Sequence, residues 1–348
     1  MKIAIATVQV PFITGGAEIL VNMLKEELIK RGHKAEIVTI PFKWYPGDSL
    51  EKCMMMGRMM DLSEVNGEKI DKVIAMKFPA FYVKHDNKVI WLMHQHRQAY
   101  DLWNTPYGDL HNFENGEKLR KLIHDCDQKY LSEAKHIYTI AQNTSNRLLK
   151  YCDLQSDVLY HPPINYEKMH CEEYGDYVFY ASRIDQIKRQ RLLVEAMQYT
   201  RTDVKAVIAG SGSEQELEYI DQFIAKHHLE KKIKMVGYIS EEEKINYYAN
   251  CLGVYFGAYD EDYGYITLES YFSQKPIIVH EDAGGPLEFV RDGYNGYVVD
   301  KSPQNIANKI DEWFENKKIA EEQGMNGYQS LVEKKINWDN VIDSLLNV

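Results

Sequence analysis

Residues 261–269 read Glu261-Asp-Tyr-Gly-Tyr-Ile-Thr-Leu-Glu269, with two glutamates eight residues apart and an aromatic-Gly pair between them. The apolar run at 252–256 is typical of a buried strand, and Gly264 precedes a helix predicted over 265–273. Open α/β sheets bind ligands at the carboxyl ends of their strands. Glu261 in the loop and Glu269 in the helix can therefore address two parts of one extended ligand, although two arbitrary glutamates are more often solvated surface acids.

Strands and helices alternate along nearly the whole chain, which is the pattern of doubly wound α/β domains. In the first half, a helix is predicted at 17–31, and strands at 2–8, 35–40, 71–75, 89–93 and 134–140, the last closing the first sheet. After a linker at 159–164, further strands are predicted at 177–181, 205–209, 233–236, 252–256, 276–280 and 297–299. The Met-rich region 41–66 is interpreted as adaptable core, a flap or an acceptor-side helix, and 302–348 as wholly helical.

Charged and glycine-rich loops follow several of the predicted strands. Arg183 and Lys188 lie on one loop, Ser182-Arg-Ile-Asp-Gln-Ile-Lys188, where a planar fork and a point charge suit a diphosphate. Arg189 and Arg191, just beyond, are interpreted as solvated helix residues. Gly15-Gly16 separates the first strand from the first helix, and a loop without Cβ atoms lets a phosphate approach a helix N-terminus. No G-x-G-x-x-G occurs there, which disfavours a dehydrogenase.

The 261–269 segment resembles the E-x-F-G-x-x-x-x-E signature of glycosyltransferase family 4, with Tyr263 in place of the usual Phe. The other motifs come in that family's order over about residues 2–345. Five other segments are similar to elements of that family. They are 182–188 (G-R-x-x-x-x-K, with Ser182 in place of the Gly), 209–214 (G-x-G), 284–288 (G-G-x-x-E), 291–296 (D-G-x-x-G) and 15–18 (G-G-A-E).

This resemblance implies a retaining enzyme of the α/β class with GT-B architecture, in which two Rossmann-like doubly wound domains face each other across a cleft. The expected domains are an acceptor-side domain at 1–163 and a nucleotide-sugar-binding domain at 164–330. The expected C-terminal helix, 331–348, crosses back to the first domain, and Trp338, Val341 and Leu345 have a helical spacing that suits such a contact.

The family's functional residues carry over onto matching positions. The resemblance implies that Glu269 bonds the ribose hydroxyls of the donor and that Glu261 contacts the transferred sugar, with neither assigned as a nucleophile. It places His94 near the sugar, with His96 as the alternative, and Arg97, Tyr100 and Asp101 on the acceptor side. The catalytic candidates are thus His94 and Glu261, and the donor-binding candidates are Gly15, Gly16, Arg183, Lys188, Gly210, Tyr263, Gly264 and Glu269.

Composition sets limits on the remaining possibilities. A chain of 348 residues with 45% hydrophobic residues fits two domains, and no apolar run approaches the length of a membrane span. Five scattered cysteines without a C-x-x-C pattern suggest neither a disulfide framework nor a zinc site, and a cytoplasmic location is expected. The net charge of −11 argues against nucleic-acid binding. Membrane contact at the inner face is expected to be weak at most, and no metal or other cofactor is expected.

The sequence therefore predicts a retaining hexosyltransferase that moves a sugar from a nucleoside-diphosphate sugar, with UDP or GDP, to an acceptor hydroxyl. The acceptor is expected to be a glycan or a lipid-linked glycan in bacterial polysaccharide or glycolipid assembly. Two alternatives remain: a nucleotide-sugar 2-epimerase of similar fold, and a nucleotide-sugar-binding protein without turnover.

Overall fold

The computed structural model describes residues 1–13 and 15–348, which divide into two compact α/β units. Unit 1 comprises Met1–Ile164 and Asn337–Val348, and unit 2 comprises Asn165–Ile336. The strands are β1 Lys2–Gln9, β2 Lys34–Pro41, β3 Glu64–Val65, β4 Glu68–Lys69, β5 Lys72–Ala75, β6 Lys88–Leu92, β7 His136–Thr139, β8 Asp157–Val158, β9 Tyr177–Ala181, β10 Lys205–Ala209, β11 Ile233–Gly237, β12 Gly253–Phe256, β13 Ile277–His280 and β14 Gly296–Val299.

The α-helices lie between these strands and at the end of the chain. They are α1 Gly16–Lys30, α2 Gly47–Met59, α3 Gly116–Leu131, α4 Gln142–Cys152, α5 Gln190–Ala196, α6 Glu214–His227, α7 Glu241–Asn250, α8 Tyr265–Phe272, α9 Pro303–Glu315, α10 Lys317–Glu333 and α11 Trp338–Leu346. Short 3-10 turns occupy Ala80–Tyr82, Arg97–Ala99, Leu110–Asn112, Tyr166–Lys168 and Gly285–Glu288.

Unit 1 is built on a parallel sheet with the strand order β2-β1-β5-β6-β7-β8. All residues of β5 and β6 are buried, as expected for central parallel strands covered by helices on both faces. The prediction that the strand around 134–140 closes this sheet is wrong, because the two-residue strand β8 pairs with the far side of β7. Such a short edge strand has no hydrophobic pattern that a sequence can reveal.

Helix α11 completes unit 1, so the predicted return of the C-terminal helix is confirmed. Trp338 packs edge-on against Trp91 with ring centroids 6.3 Å apart, and Val341 and Leu345 are fully buried. Lys72, itself buried, donates hydrogen bonds from Nζ to the carbonyl oxygens of Leu345, Leu346 and Val348 at 2.9–3.0 Å. A cation at the last carbonyls of a helix compensates the negative end of its dipole.

Unit 2 carries a second parallel sheet, in the order β11-β10-β9-β12-β13-β14. This is the 3-2-1-4-5-6 order of the dinucleotide-binding fold, and the strand order reverses between β9 and β12. The prediction of two Rossmann-like α/β domains is therefore confirmed. The reversal also defines where a ligand is expected, which is outside the carboxyl ends of β9 and β12.

The structure corrects the prediction that 302–348 is wholly helical, and it shows a helix in the Met-rich region. The region 302–348 is not one continuous helical stretch, because α9 ends at Glu315, α10 follows from Lys317, and residues 334–337 separate α10 from α11. In the Met-rich region, α2 buries Leu50, Cys53 and Met54 and exposes Met55, Met56 and Met59. That helix is therefore partly core, as methionine-rich segments often are.

Candidate functional site

Two loops of unit 2 leave the sheet where its strand order reverses. The β9 loop, residues 182–189, follows β9 and leads into α5, and the β12 loop, residues 257–264, follows β12 and leads into α8. They carry Arg183, Lys188, Glu261, Tyr263 and Gly264. The fold therefore brings these sequence candidates of unit 2 to one edge of the sheet.

Lys188 and Glu261 join the two loops through an ion pair between Nζ and Oε2. Both side chains are largely shielded from solvent, with 17% and 28% exposure. The backbone of Lys188 is fixed as well, because its N–H donates to Asp185 Oδ1 at 2.9 Å and its carbonyl accepts a hydrogen bond from the buried Tyr180 hydroxyl. Lys188 is thus a cation held in a defined position beside a carboxylate.

Arg183 occupies the same loop in a more open position. Its side chain is 73% exposed, and Nε donates to Asp185 Oδ2 at 2.7 Å. Gln190 supports the backbone by donating from Nε2 to the Arg183 carbonyl at 2.9 Å. The loop backbone is therefore anchored while the guanidinium extends into solvent, where it is available to an anionic group.

Glu269 lies on α8 and is nearly buried, with 6% exposure. Its Oε1 accepts a hydrogen bond from Lys244 Nζ at 2.9 Å, and its Oε2 accepts one from the Tyr248 hydroxyl at 2.8 Å. Burial alone would lower the pKa of Lys244, but the carboxylates of Glu269 and Glu241 outweigh burial and raise it. Sequence reasoning did not single out Lys244 or Tyr248, which share one face of α7 through their i, i+4 spacing.

Glycines allow the loops to pack closely around this edge. Gly210 has φ +137°, and a Cβ there would stand 1.9 Å from the Ser182 carbonyl oxygen. Gly264 has φ +84° at the start of α8, and a Cβ there would stand 2.6 Å from Pro286 Cγ. The two positions thus require glycine for close approach and for a left-handed backbone. The ring of Tyr263 is buried, edge-on to Tyr265 and Phe289 at 5.4 and 5.8 Å.

The Gly284-Gly285 segment holds the β12 loop in place. Glu261 N–H donates to the Ala283 carbonyl at 2.8 Å, and Gly285 N–H donates to the Glu261 carbonyl at 2.7 Å. A Cβ on Gly285 would stand 2.5 Å from the Asp262 carbonyl oxygen. The backbone of Glu261 is therefore fixed on both sides, which orients the side chain that pairs with Lys188.

The interpretation of Arg189 as a solvated helix residue is wrong, and Arg191, which does lie on α5, is only partly exposed. Arg189 has φ +55° and pairs with Asp282 through two hydrogen bonds of 2.7 and 3.0 Å, with 13% of its side chain exposed. Burial would raise the pKa of Asp282, but Arg189 outweighs it and lowers that pKa. Arg191 pairs with the buried Glu216 at 2.7 and 2.9 Å. Both arginines connect elements of unit 2.

Unit 1 carries the other candidates at the carboxyl ends of its own strands. His94 follows β6, is half-buried, and has Nδ1 2.6 Å from the Gln95 carbonyl oxygen. His96, the alternative, is also half-buried, with its ring stacked on Phe78 at 5.2 Å, and burial of the imidazole followed by the charge of His94 lowers its pKa to about 3. Both histidines therefore keep some exposed surface, and His94 is the one that directly follows the end of β6.

The Gly15-Gly16 segment forms the start of α1, while Thr14 lies outside the described residues. Gly15 N–H donates to Glu18 Oε2 at 2.9 Å, so the glutamate of the G-G-A-E segment caps its own helix. Lys77, which follows β5, has Nζ 3.7 Å from Glu18 Oε1. In unit 1, β1 and β5 are neighbours at the point where the strand order reverses, so this cation lies beside the glycines.

A buried acid under the His94 segment was also missed by sequence reasoning. Asp127 accepts hydrogen bonds from the hydroxyls of Tyr82 and Tyr100 at 2.6 and 2.7 Å and from Gln95 Nε2 at 3.2 Å. Burial raises its pKa to about 6 against the opposing effect of these donors. Gln95 and Tyr100 both belong to the segment that follows β6 and begins at His94. Asp127 therefore holds the backbone of that segment in place. The buried stripe Leu119, Ile123 and Leu131 on α3 could have indicated that Asp127 is inside.

Two kinds of feature are absent from residues 1–13 and 15–348. No cluster of three or more His, Cys, Asp or Glu side chains is arranged to hold a metal ion. No helix in that part of the chain has the length and apolar character needed to cross a membrane.

The sequence of this chain is similar to known glycosyltransferases. Residues 167–330, which are most of unit 2, match the family of glycosyl transferases group 1. Over its whole length the chain is 21% identical to an uncharacterized glycosyltransferase of Methanocaldococcus jannaschii, of which it covers 97%. The similarity to this family thus lies in unit 2, which carries the β9 and β12 loops.

Solved structures agree on the fold. HepE of Anabaena, determined with UDP and glucose, superposes with a TM-score of 0.71 at 15% identity and full coverage of both chains. The sucrose-phosphate synthase of Thermosynechococcus elongatus superposes with a TM-score of 0.77 at 16% identity, over 99% of this chain and 98% of that one. Both are glycosyltransferases of the GT-B fold, so the predicted fold class is confirmed.

Proposed function

We propose that this protein is a retaining glycosyltransferase of family 4 that transfers a hexose from a nucleoside-diphosphate sugar to an acceptor hydroxyl. The observation that carries the proposal is the Lys188–Glu261 pair at the strand-order reversal of unit 2, within the stretch that matches group 1 glycosyltransferases. A departing diphosphate accumulates negative charge and needs cations beside it, while the sugar needs hydrogen-bond acceptors. Lys188 and Arg183 supply the cations, and Glu261 supplies the hydrogen-bond acceptor.

The rest of unit 2 supports a nucleotide in the same place. Gly264 opens α8, whose first backbone N–H groups and positive dipole end favour an anion. Gly210 allows the β10 end to lie against the Ser182 carbonyl without a side chain between them. Glu269 on α8 presents a buried carboxylate, which suits ribose hydroxyls. The proposed donor site therefore runs from Glu269 through the β9 and β12 loops.

We assign His94 of unit 1 to the chemical step and Gly15-Gly16 to donor binding. His94 is the histidine that directly follows β6, whereas the ring of His96 packs against Phe42 and Phe78 and its buried Nε2 has no hydrogen-bond partner among the described residues. The roles of His94 and Glu261 are kept to contacts with the sugar, and neither is proposed as a nucleophile. The proposed chemistry requires no metal or other cofactor, because arginine, lysine and helix N–H groups can stabilise the diphosphate.

The decisive experiment is acceptor-dependent release of nucleoside diphosphate. A panel of UDP- and GDP-sugars is first screened by thermal shift, since the true donor raises the melting temperature by mass action. The selected donor is then incubated with and without a glycan acceptor, in buffer with and without EDTA. Release that requires acceptor supports a transferase, whereas conversion of the nucleotide sugar into its 2-epimer without acceptor supports a 2-epimerase. Binding without any turnover supports a protein that only binds the nucleotide sugar. NMR of the new anomeric centre tests retention.

The acceptor is proposed to be a glycan or lipid-linked glycan of bacterial polysaccharide or glycolipid assembly. The protein itself is proposed to be cytoplasmic, with weak membrane contact at most. Two of the basic residues of α3 are already engaged within unit 1. Lys121 pairs with Asp125 at 2.7 Å, and Arg120 donates to the Ala99 carbonyl at 3.0 Å and covers the Trp103 ring. Cosedimentation with anionic vesicles at low salt is expected to be weak or absent. Strong binding that added salt reverses would overturn this part of the proposal.

A further inference from the structure

Two residues of α7 enclose the carboxylate of Glu269 from one side. Lys244 and Tyr248 occupy successive turns of α7, and each takes one oxygen of the carboxylate, at 2.9 and 2.8 Å. The side chain of Glu269 is 7% exposed and that of Lys244 is 16% exposed, so this is a nearly buried ion pair. Tyr248 is fully buried, with its ring edge-on to Phe179 at 5.1 Å. The carboxylate is therefore held on both oxygens rather than by one flexible contact.

The arrangement leaves hydrogen-bonding capacity on the carboxylate. An ionised carboxylate offers about four lone-pair positions on its two oxygens. One position on each oxygen is used by α7, which leaves one on each oxygen for a ligand. Two adjacent acceptors of fixed spacing match two neighbouring hydroxyl groups.

We propose that Lys244 and Tyr248 are positioning residues that aim Glu269 at both ribose hydroxyls of the donor, and that they set the selectivity for ribonucleotides over deoxyribonucleotides. This inference rests on the proposed function, because it takes the ligand of unit 2 to be a nucleoside diphosphate. Neither α7 residue contacts the ribose in this proposal. They act through Glu269 by fixing the position of its carboxylate before the ligand arrives.

A purely architectural role predicts a different behaviour. If the Lys244–Glu269–Tyr248 contacts only attach α7 to α8, their loss should lower stability and weaken every nucleotide equally. If they position Glu269, their loss should weaken ribonucleotides more than deoxyribonucleotides, because only ribonucleotides use both acceptors. The ratio of the two dissociation constants is therefore the informative quantity, since a general loss of stability does not change it.

The experiment measures binding of UDP, GDP and ADP and of their 2′-deoxy counterparts by calorimetry. The wild type is expected to bind one ribonucleotide about ten- to a hundredfold more tightly than its deoxy form, the scale of one hydrogen bond to a charged group. Tyr248→Phe keeps the buried ring and is expected to reduce this ratio at least about threefold, with deoxynucleotide binding nearly unchanged. Lys244→Met should do the same, and Lys244→Arg should restore most of the ratio because it keeps the charge.

Matched controls come from other contacts of unit 2. Tyr219→Phe removes a hydrogen bond from a tyrosine hydroxyl to Glu195 Oε1 of 2.9 Å, and Lys309→Met removes the 2.8 Å pair with Glu312. Both controls should keep the wild-type ratio. An unchanged ratio in Tyr248→Phe and Lys244→Met overturns the inference alone, as does an equal loss for both nucleotide types. Absence of any nucleoside-diphosphate binding by the wild type overturns the proposed function and this inference with it. Tyr248→Phe keeps the test available even if Lys244→Met does not fold.

Discussion

Lys188 and Glu261, 73 residues apart in the sequence, form an ion pair that connects the β9 and β12 loops. The cation proposed for the diphosphate and the carboxylate proposed for the sugar thus neutralise each other before any ligand binds. A bound diphosphate must share Lys188 with Glu261 or replace it. The two residues are consequently coupled, and substitutions at one should change the ligand preference of the other.

The first prediction concerns Glu261→Gln. Removing its negative charge takes a competitor away from Lys188 and lessens repulsion of the diphosphate, so nucleoside-diphosphate affinity should be unchanged or rise by roughly 1 kcal/mol. Affinity for the nucleotide sugar should fall, because the sugar hydroxyls lose their charged acceptor. Calorimetry with both ligands decides the matter. Equal losses for the two ligands would contradict the assignment of Glu261 to the sugar.

The second prediction concerns the two cations. Arg183→Ala and Lys188→Ala should each cost roughly 1.5–3 kcal/mol in nucleoside-diphosphate affinity, the scale of a charge-assisted hydrogen bond. The melting temperature of the ligand-free protein should hardly change for Arg183→Ala, since that side chain is 73% exposed.

Arg201 offers a matched control for Arg183. It is an exposed arginine of the same unit, 69% exposed and 3.6 Å from Asp311. Arg201→Ala should leave nucleotide binding unaltered. If Arg183→Ala and Lys188→Ala bind the diphosphate as tightly as Arg201→Ala does, the diphosphate does not lie at the β9 loop.

The third prediction separates the two histidines. His94→Ala should reduce the transfer rate roughly tenfold or more, the scale of a hydrogen bond used in the transition state, while free nucleotide binds as before. His96→Phe should retain activity, because the imidazole stacks on Phe78 and its buried Nε2 has no hydrogen-bond partner among the described residues. Steady-state rates and nucleotide dissociation constants are measured on both variants. The assignment to His94 fails if His96→Phe alone loses activity.

Much of the fold could be predicted from the sequence because parallel strands are buried on both faces. The predicted strands 177–181 and 205–209 coincide with β9 and β10, whose apolar runs are bounded by polar residues. The two-residue strand β8 could not be found, because two residues carry no periodicity. The breaks between α9, α10 and α11 were also missed, since helical spacing alone does not mark where one helix ends and the next begins.

The placement of the candidate residues was predictable only where they lie in a local motif. Lys188, Glu261, Gly264 and Glu269 lie in recognisable segments, and the sheet brings those segments together. The partners Lys244 and Tyr248 lie 25 and 21 residues before Glu269, and the sequence alone gives no sign of that contact. The Arg189–Asp282 pair spans 93 residues and depends on a left-handed backbone at a non-glycine residue. Tertiary pairs of this kind follow from the fold and not from local sequence.

The fourth prediction concerns Asp127 and pH. Burial raises its pKa from 3.8 to about 6, so the folded protein holds this proton more tightly than the unfolded chain does. Between about pH 4 and pH 6 the wild type should therefore lose stability at this residue as pH rises, by about 3 kcal/mol over the window. The asparagine of the Asp127→Asn variant does not titrate, so the variant lacks this loss. From about pH 4 to pH 6 its free energy of unfolding should therefore rise relative to that of the wild type by the same amount. Chemical unfolding at a series of pH values measures it.

Tyr82→Phe tests the same carboxyl by removing one of its hydrogen-bond donors. The Tyr82 hydroxyl donates to Asp127 Oδ1 at 2.6 Å and stabilises the ionised form. Without this donor the pKa of Asp127 should rise further above its unfolded value, and the pH at which the stability loss is complete should rise with it. A difference between Asp127→Asn and the wild type that stays constant from pH 4 to 7 would mean that Asp127 keeps an ordinary pKa despite its burial. The loop that carries His94 would then rest on a carboxylate that is charged throughout this range.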